Sequence, residues 1–206
     1  METVAYFELL TLLGIGLLTP GPNALTCFAH SGIFGPKSNI KLITGMAIGF
    51  VVIELSVGLV IDALRENDTA MVLLHWVGLL FLAVMILAMF RMDPSTIASD
   101  SLDAALGLKT GICMQFVNGK EWAFVVIMMS QFIEPLGGGF NGIFVIILTT
   151  LTLCLTAMIL WTLAGSRLNN VFNHPERGAL VFKFCACLLT LLLIAFIVQG
   201  PATVDA

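Results

Sequence analysis

Charge is what this 206-residue sequence has least of: Asp, Glu, Lys and Arg make up only 11% of it, whereas soluble domains carry about 25%. Hydrophobic residues make up 59% and the mean hydropathy is +1.04, so the lipid bilayer is the first partner to expect. No basic patch exists, which excludes nucleic acid as a partner. No HExxH, P-loop, GxSxG or clustered His/Cys ligand set appears, so metal chemistry, nucleotide hydrolysis and enzyme activity in general have no support, and no cofactor is implied. The first residues lack a positively charged stretch and no small-x-small site follows the first apolar run, so no cleaved signal is expected. The five cysteines, Cys27, Cys113, Cys154, Cys185 and Cys187, are odd in number and all lie in apolar runs. They do not form a secreted disulfide framework.

What the sequence does have is long apolar stretches. A membrane-crossing helix needs about 20 mostly apolar residues, and six segments qualify: about 5–28, 42–62, 71–90, 108–133, 142–165 and 179–198. Strand-type alternation is absent, so the expected class is an all-α integral membrane bundle of six helices. The longest polar connection runs from Met92 to Leu108. It divides a single domain, 1–206, into a first repeat (about 1–91), a cytoplasmic linker (about 92–107) and a second repeat (about 108–200).

Loop charge sets the orientation. Connections 1–2, 3–4 and 5–6 with their flanks hold Lys37, Lys41, Arg91, Lys109, Arg167, Arg177 and Lys183, against Arg65 alone on the other side. The positive-inside rule puts those connections in the cytoplasm and both termini in the periplasm. Three spans per half is an odd number, so the second half enters the membrane from the opposite side. The expected architecture is an inverted 3+3 repeat with spans 1 and 4 as counterparts.

Both of those spans are broken. Span 1 contains Thr19-Pro20-Gly21-Pro22-Asn23, and span 4 contains Val117-Asn118-Gly119-Lys120-Glu121-Trp122. Proline removes a backbone donor and glycine loosens the chain. Hydrocarbon offers no water to the groups thus freed, so such breaks persist only in protein or around a wet cavity. Interrupted spans at matching places in two halves point to a transporter's binding site. The new helix N-terminus after Pro20 and Pro22 suits a carboxylate, and the Asn23 amide both donates and accepts.

Lys120 lies about 11 residues beyond Lys109, roughly 16 Å along a helix, near mid-depth beside Glu121. An ionisable residue there faces a cavity or a partner. Glu54 sits in an otherwise apolar span, where a carboxyl favours its neutral form and can exchange protons; the blander alternative is a pair with Lys120 or His75. Gly45 and Gly49 form a GxxxG suited to close helix packing, which would seat span 2 against a broken helix.

These residues together resemble the lysine exporter (LysE/RhtB) superfamily of amino-acid efflux transporters. Thr19-Pro20-Gly21-Pro22-Asn23 resembles its TPGPN motif, and Gly32, Gly35, Gly45 and Gly49 resemble its spaced glycines. Phe116 to Phe124 resembles its pattern of asparagine, proline, lysine and aromatic. Two departures stand out: Gly119 replaces the usual proline, and Phe50 stands where an aspartate often follows the second glycine. Glu54, one turn on, is its potential substitute.

The resemblance implies a multi-pass protein of the bacterial inner membrane that exports amino acids or related small metabolites, with protons as the counter-ion. Asn118 and Lys120 join the span 1 break as substrate-binding residues, with the substrate ammonium near Glu54 or freed carbonyls. A homo-oligomer is compatible with all of this. Two other classes compete. An intramembrane thiol relay would use Cys27 and Cys113, although no CxxC is present and buried free cysteines usually pack as small hydrophobes. A cadmium-type metal exporter would use Cys185 and Cys187, which diverge by about 200° on a helix.

Overall fold

A computed structural model describes residues 2–18, 21–91, 105–172 and 175–201. Among the described residues every regular element is helical. In chain order these are α1 (Thr3–Leu18), α2 (Pro22–Phe34), a short 3-10 turn (Pro36–Ser38), α3 (Asn39–Leu64), α4 (Asp68–Arg91), α5 (Leu108–Val117), α6 (Gly119–Phe132), α7 (Gly139–Phe172) and α8 (Pro175–Gln199). Thr19, Pro20, nearly all of the expected 92–107 linker and the end of the chain lie outside the described residues.

The first break follows from its residues. Gly21 is extended (φ −108°, ψ −176°) and Pro22 opens α2, where its missing N–H costs no hydrogen bond and its fixed φ suits the first helical position. The second break is narrower. One extended residue, Asn118 (φ −80°, ψ 90°), separates α5 from α6. α2 runs past the expected end of span 1 at residue 28. It stops only at Gly35, whose φ of 81° favours glycine and whose N–H reaches the Ser31 carbonyl at 2.9 Å.

By length and composition, Pro36–Leu64 and Gly139–Arg167 are long and apolar enough to cross a membrane. Thr3–Leu17 and Pro22–Phe34, bent by 47° at their break, make a third if counted together. The stretches Asp68–Val84 in α4 and Ala186–Val198 in α8 are apolar but shorter. Expected span 4 is divided between α5, of 10 residues, and α6, of 14, neither able to cross alone.

Two buried clusters hold the bundle. The larger joins α1, α3, α4, α6, α7 and α8 through residues such as Leu9, Ile53, Leu82, Ile127, Ile143 and Leu189. The smaller joins α2, α3 and α7 through Ala24, Cys27, Leu42, Met46, Ala157 and Met158. Outward-facing Leu80, Phe140 and Leu191 are each more than 60% exposed, an apolar surface suited to lipid.

Helix α5 lies backbone-to-backbone on α3. A Cβ added to Gly45 would stand 2.1 Å from the Leu108 carbonyl oxygen, and one on Gly111 would stand 2.2 Å from that of Leu42. Gly49 meets Ile112 and Gln115 of the same helix. At the opposite end of α3, Arg65 pairs with Glu134 after α6 at 2.7 Å and approaches Asp62 at 3.7 Å.

Candidate functional site

The two helix breaks face each other. Asn23, second residue of α2, donates from Nδ2 to Gln115 Oε1 of α5 at 2.8 Å, and Gln115 Nε2 returns a bond to Asn23 Oδ1 at 3.1 Å. Asn23 Nδ2 also reaches Glu121 Oε1 of α6 at 3.1 Å, and Asn118 Nδ2 approaches that oxygen at 3.5 Å. Asn23, Gln115 and Asn118 are buried, so these amides carry bonds that a low-dielectric interior makes costly to lose.

The first break also determines what Lys120 does. In an unbroken helix the Gly16 carbonyl would accept from residue 20, but Pro20 has no N–H to give. Lys120 Nζ takes that place, donating to Gly16 O at 2.6 Å. Its ammonium thus sits at the negative end of α1, with Phe124 beneath it at 5.8 Å to the ring centroid. The side chain passes over Gly21, where an added Cβ would fall 2.7 Å from Lys120 Cδ. Trp122 serves the second break in the same way, its Nε1 donating to Phe116 O at 3.1 Å.

The breaks leave N–H groups as well. The first α2 bond inside the helix runs from Leu25 N to Gly21 O at 3.0 Å, and the first of α6 from Trp122 N to Asn118 O at 3.3 Å. The amides ahead of them, Asn23 and Ala24 on α2 and Lys120 and Glu121 on α6, have no intrahelical carbonyl. All four residues line one cavity of about 40 Å³, together with Gly21 and Asn118. A second cavity, also about 40 Å³, adjoins it and shares Asn23, Phe50, Glu121, Cys154 and Met158. Asn118 Oδ1, buried at the first cavity, is an acceptor with no hydrogen-bond partner among the described residues.

Comparison with known proteins adds the relationship. A protein of Salmonella paratyphi A named a cysteine/O-acetylserine efflux protein is 26% identical over 179 residues, covering 84% of this chain and 90% of its own. The protein of that name in Escherichia coli K12 is 25% identical over the same span. An uncharacterized membrane protein of Vibrio cholerae is 25% identical over 163 residues, covering 77% of this chain and 80% of its own. No family model matches, and no solved structure matches. The resemblance to the lysine exporter superfamily is borne out.

Of the residues that the superfamily pattern singles out, Gly21, Pro22, Asn23, Asn118 and Lys120 meet at the paired breaks, and Thr19 and Pro20 lie outside the described residues. Glu54 is elsewhere. It is fully buried, accepts at Oε2 from Thr150 Oγ1 of α7 at 2.9 Å, and has no hydrogen-bond partner at Oε1 among the described residues. His75 turns its Nδ1 to Gln131 Nε2 instead, at 3.2 Å. Phe50 and Cys154 line the cavities, so Glu54 and Thr150 lie one helical turn from that lining on both α3 and α7.

Two site residues had no role in the sequence reading. Gln115 is an amide inside an apolar run, itself a signal, since it must find a partner. Glu121, next to Lys120 in the sequence, touches both asparagines.

Cys27 and Cys113 have opposite surroundings. The Cys27 thiol is buried, 3.9 Å from the sulfurs of both Met46 and Met158, whereas Cys113 is exposed. Cys187 is exposed too, and the Cys185 side chain lies outside the described residues.

A separate buried polar set ties α2, α3 and α7. Asn39 Nδ2 donates to Cys27 O and to Thr162 Oγ1, each at 2.7 Å. The Leu106 N–H donates to His30 Nε2 at 2.8 Å, so the ring hydrogen sits on Nδ1, which faces Asn39 Oδ1. This set holds the start of α5 against α2.

Proposed function

We propose that this protein is a secondary transporter exporting amino acids or closely related metabolites across the bacterial inner membrane, in exchange for protons. The observation that carries the reading is the pair of broken helices locked face to face by Asn23, Gln115 and Glu121, around a small cavity holding one cation and one carboxylate. A zwitterion fits such a site. Its carboxylate would take the Lys120 ammonium and the first N–H groups of α2, which have no intrahelical acceptor. Its ammonium would take Glu121 and Asn118 Oδ1, in place of the Glu54 contact that the sequence suggested.

The relatives named for cysteine and O-acetylserine efflux support the substrate class. The matched breaks support an inverted 3+3 repeat, with α1 and α2 as the counterpart of α5 and α6, and with both termini periplasmic. Reporters fused after Ala206 and within Asp93–Leu108 should be active on opposite faces; activity on the same face would overturn the inverted repeat. Glu54, one turn from the cavity lining, is the group we assign to proton exchange.

The test is counterflow in proteoliposomes. Vesicles loaded with unlabelled alanine, methionine or cysteine should draw in the labelled form against protein-free controls. Failure of every amino acid to exchange would refute the reading.

A further inference from the structure

The two adjoining cavities differ in chemistry, although they share Asn23, Phe50, Glu121, Cys154 and Met158. The first holds the Lys120 ammonium, Asn118 and the N-terminal ends of two helices. The second adds Ile43, Met46, Ala47, Leu151 and Leu155 from α3 and α7. Its only polar edge is Gln115 with the shared Asn23 and Glu121, which already bond one another across the breaks.

We propose that the second cavity is the subsite for the substrate's side chain, and that it admits short, uncharged side chains of apolar or sulfur-bearing character. The proposal rests on the amino-acid reading above and adds which amino acids are taken. Three observations carry it.

The first is adjacency: a zwitterionic head held between Lys120 and Glu121 has the second cavity as its apolar neighbour. The second is the wall. Met46, Cys154 and Met158 bring three sulfurs to it, with the Cys27 thiol packed behind both methionines at 3.9 Å. Thioethers are polarisable and adapt to irregular shapes, so the wall can follow side chains of slightly different form. A second ammonium or carboxylate would find no counter-charge there. Glu121 is the one ionic group on this wall, the substrate's own ammonium claims it, and burying an unpaired charge is strongly unfavourable. The third is size. The second cavity is small, about 40 Å³, which favours a short side chain over a long one.

The experiment is competition in the same counterflow assay, with labelled alanine as reporter and unlabelled glycine, methionine, lysine or glutamate as competitor. Methionine should compete at least about tenfold better than lysine or glutamate, the discrimination a shaped apolar pocket provides. Ala47→Leu fills the second cavity without touching Lys120 or Asn118. It should weaken methionine by about tenfold or more relative to glycine; Leu155→Phe serves the same purpose if that variant does not fold. Equal competition by lysine and methionine would overturn the subsite and leave the export reading standing. So would an equal loss for every amino acid in both filled variants. Exchange of no amino acid by the unaltered protein would overturn both.

Discussion

Asn23 and Gln115, 92 positions apart, exchange two hydrogen bonds at 2.8 and 3.1 Å and so fasten one broken helix to the other. Both side chains are buried, so losing these bonds is costly even though Asn23 also reaches Glu121 and Gln115 also reaches the Gly111 carbonyl. Replacing Asn23 or Gln115 singly with alanine should lower stability by about 1–3 kcal/mol, the usual effect of leaving a buried polar group unpaired. The double variant should lose less than the sum, with a coupling of about 1 kcal/mol. Thermal unfolding in detergent measures all four proteins. Strict additivity would mean that the pair does not hold the breaks together.

Lys120 has two possible employments: it caps the Gly16 carbonyl, and its charge can meet a substrate carboxylate. Lys120→Met removes both, but only the second distinguishes an amino acid from its amide. Export of the acids should fall further than export of the amides. Arginine should restore only part of the activity, because a planar fork does not reproduce a compact ammonium. Equal losses for acids and amides would assign Lys120 to capping alone.

The proposed assignment of Glu54 to coupling rather than binding can be tested, since it lies off the cavity and bonds to Thr150. Glu54→Gln keeps the shape and the Thr150 contact but cannot titrate. Substrate counterflow should continue at close to the normal rate, whereas uphill export driven by an imposed pH gradient should vanish. Should the variant still concentrate substrate under that gradient, protons are coupled through another group.

Gly111 tests the contact between α3 and α5. Its Cβ would lie 2.2 Å from a backbone oxygen that cannot rotate away, so Gly111→Ala should destabilise the protein by about 1–3 kcal/mol, as overpacking does. Gly119 is the control, with nothing within 4 Å of its added Cβ. Gly119→Ala should leave the melting temperature unchanged or raise it slightly. Similar losses at both glycines would point to backbone flexibility rather than space as the common cause.

How far the sequence discloses the site depends on what each residue can do alone. Pro22 and Gly21 disfavour a continuous helix through their own covalent structure, and Gly119 beside Asn118 loosens one, so both breaks are legible in the sequence. Lys120 was legible by depth, since no mid-membrane ammonium lies idle. The facing of Glu54 was not. Its partner Thr150 comes from α7, 96 positions away, and its direction depends on how α3 and α7 pack. Gln115 and Glu121 stayed hidden for a related reason: hydropathy shows that a polar group must be satisfied, but not by whom. The His30 and Asn39 network is less visible still, because one of its donors is a backbone amide, Leu106 N–H, that no residue type advertises.

Gly45 and Gly111 leave no side chain between α3 and α5. Elsewhere in the bundle, misfit can be taken up by a methionine or leucine changing rotamer, but carbonyl-on-glycine contact has no such slack. The two helices must therefore travel together or come apart at once. α3 belongs to the first half of the chain and α5 to the second, so this contact without slack fastens one half of the sequence rigidly to the other.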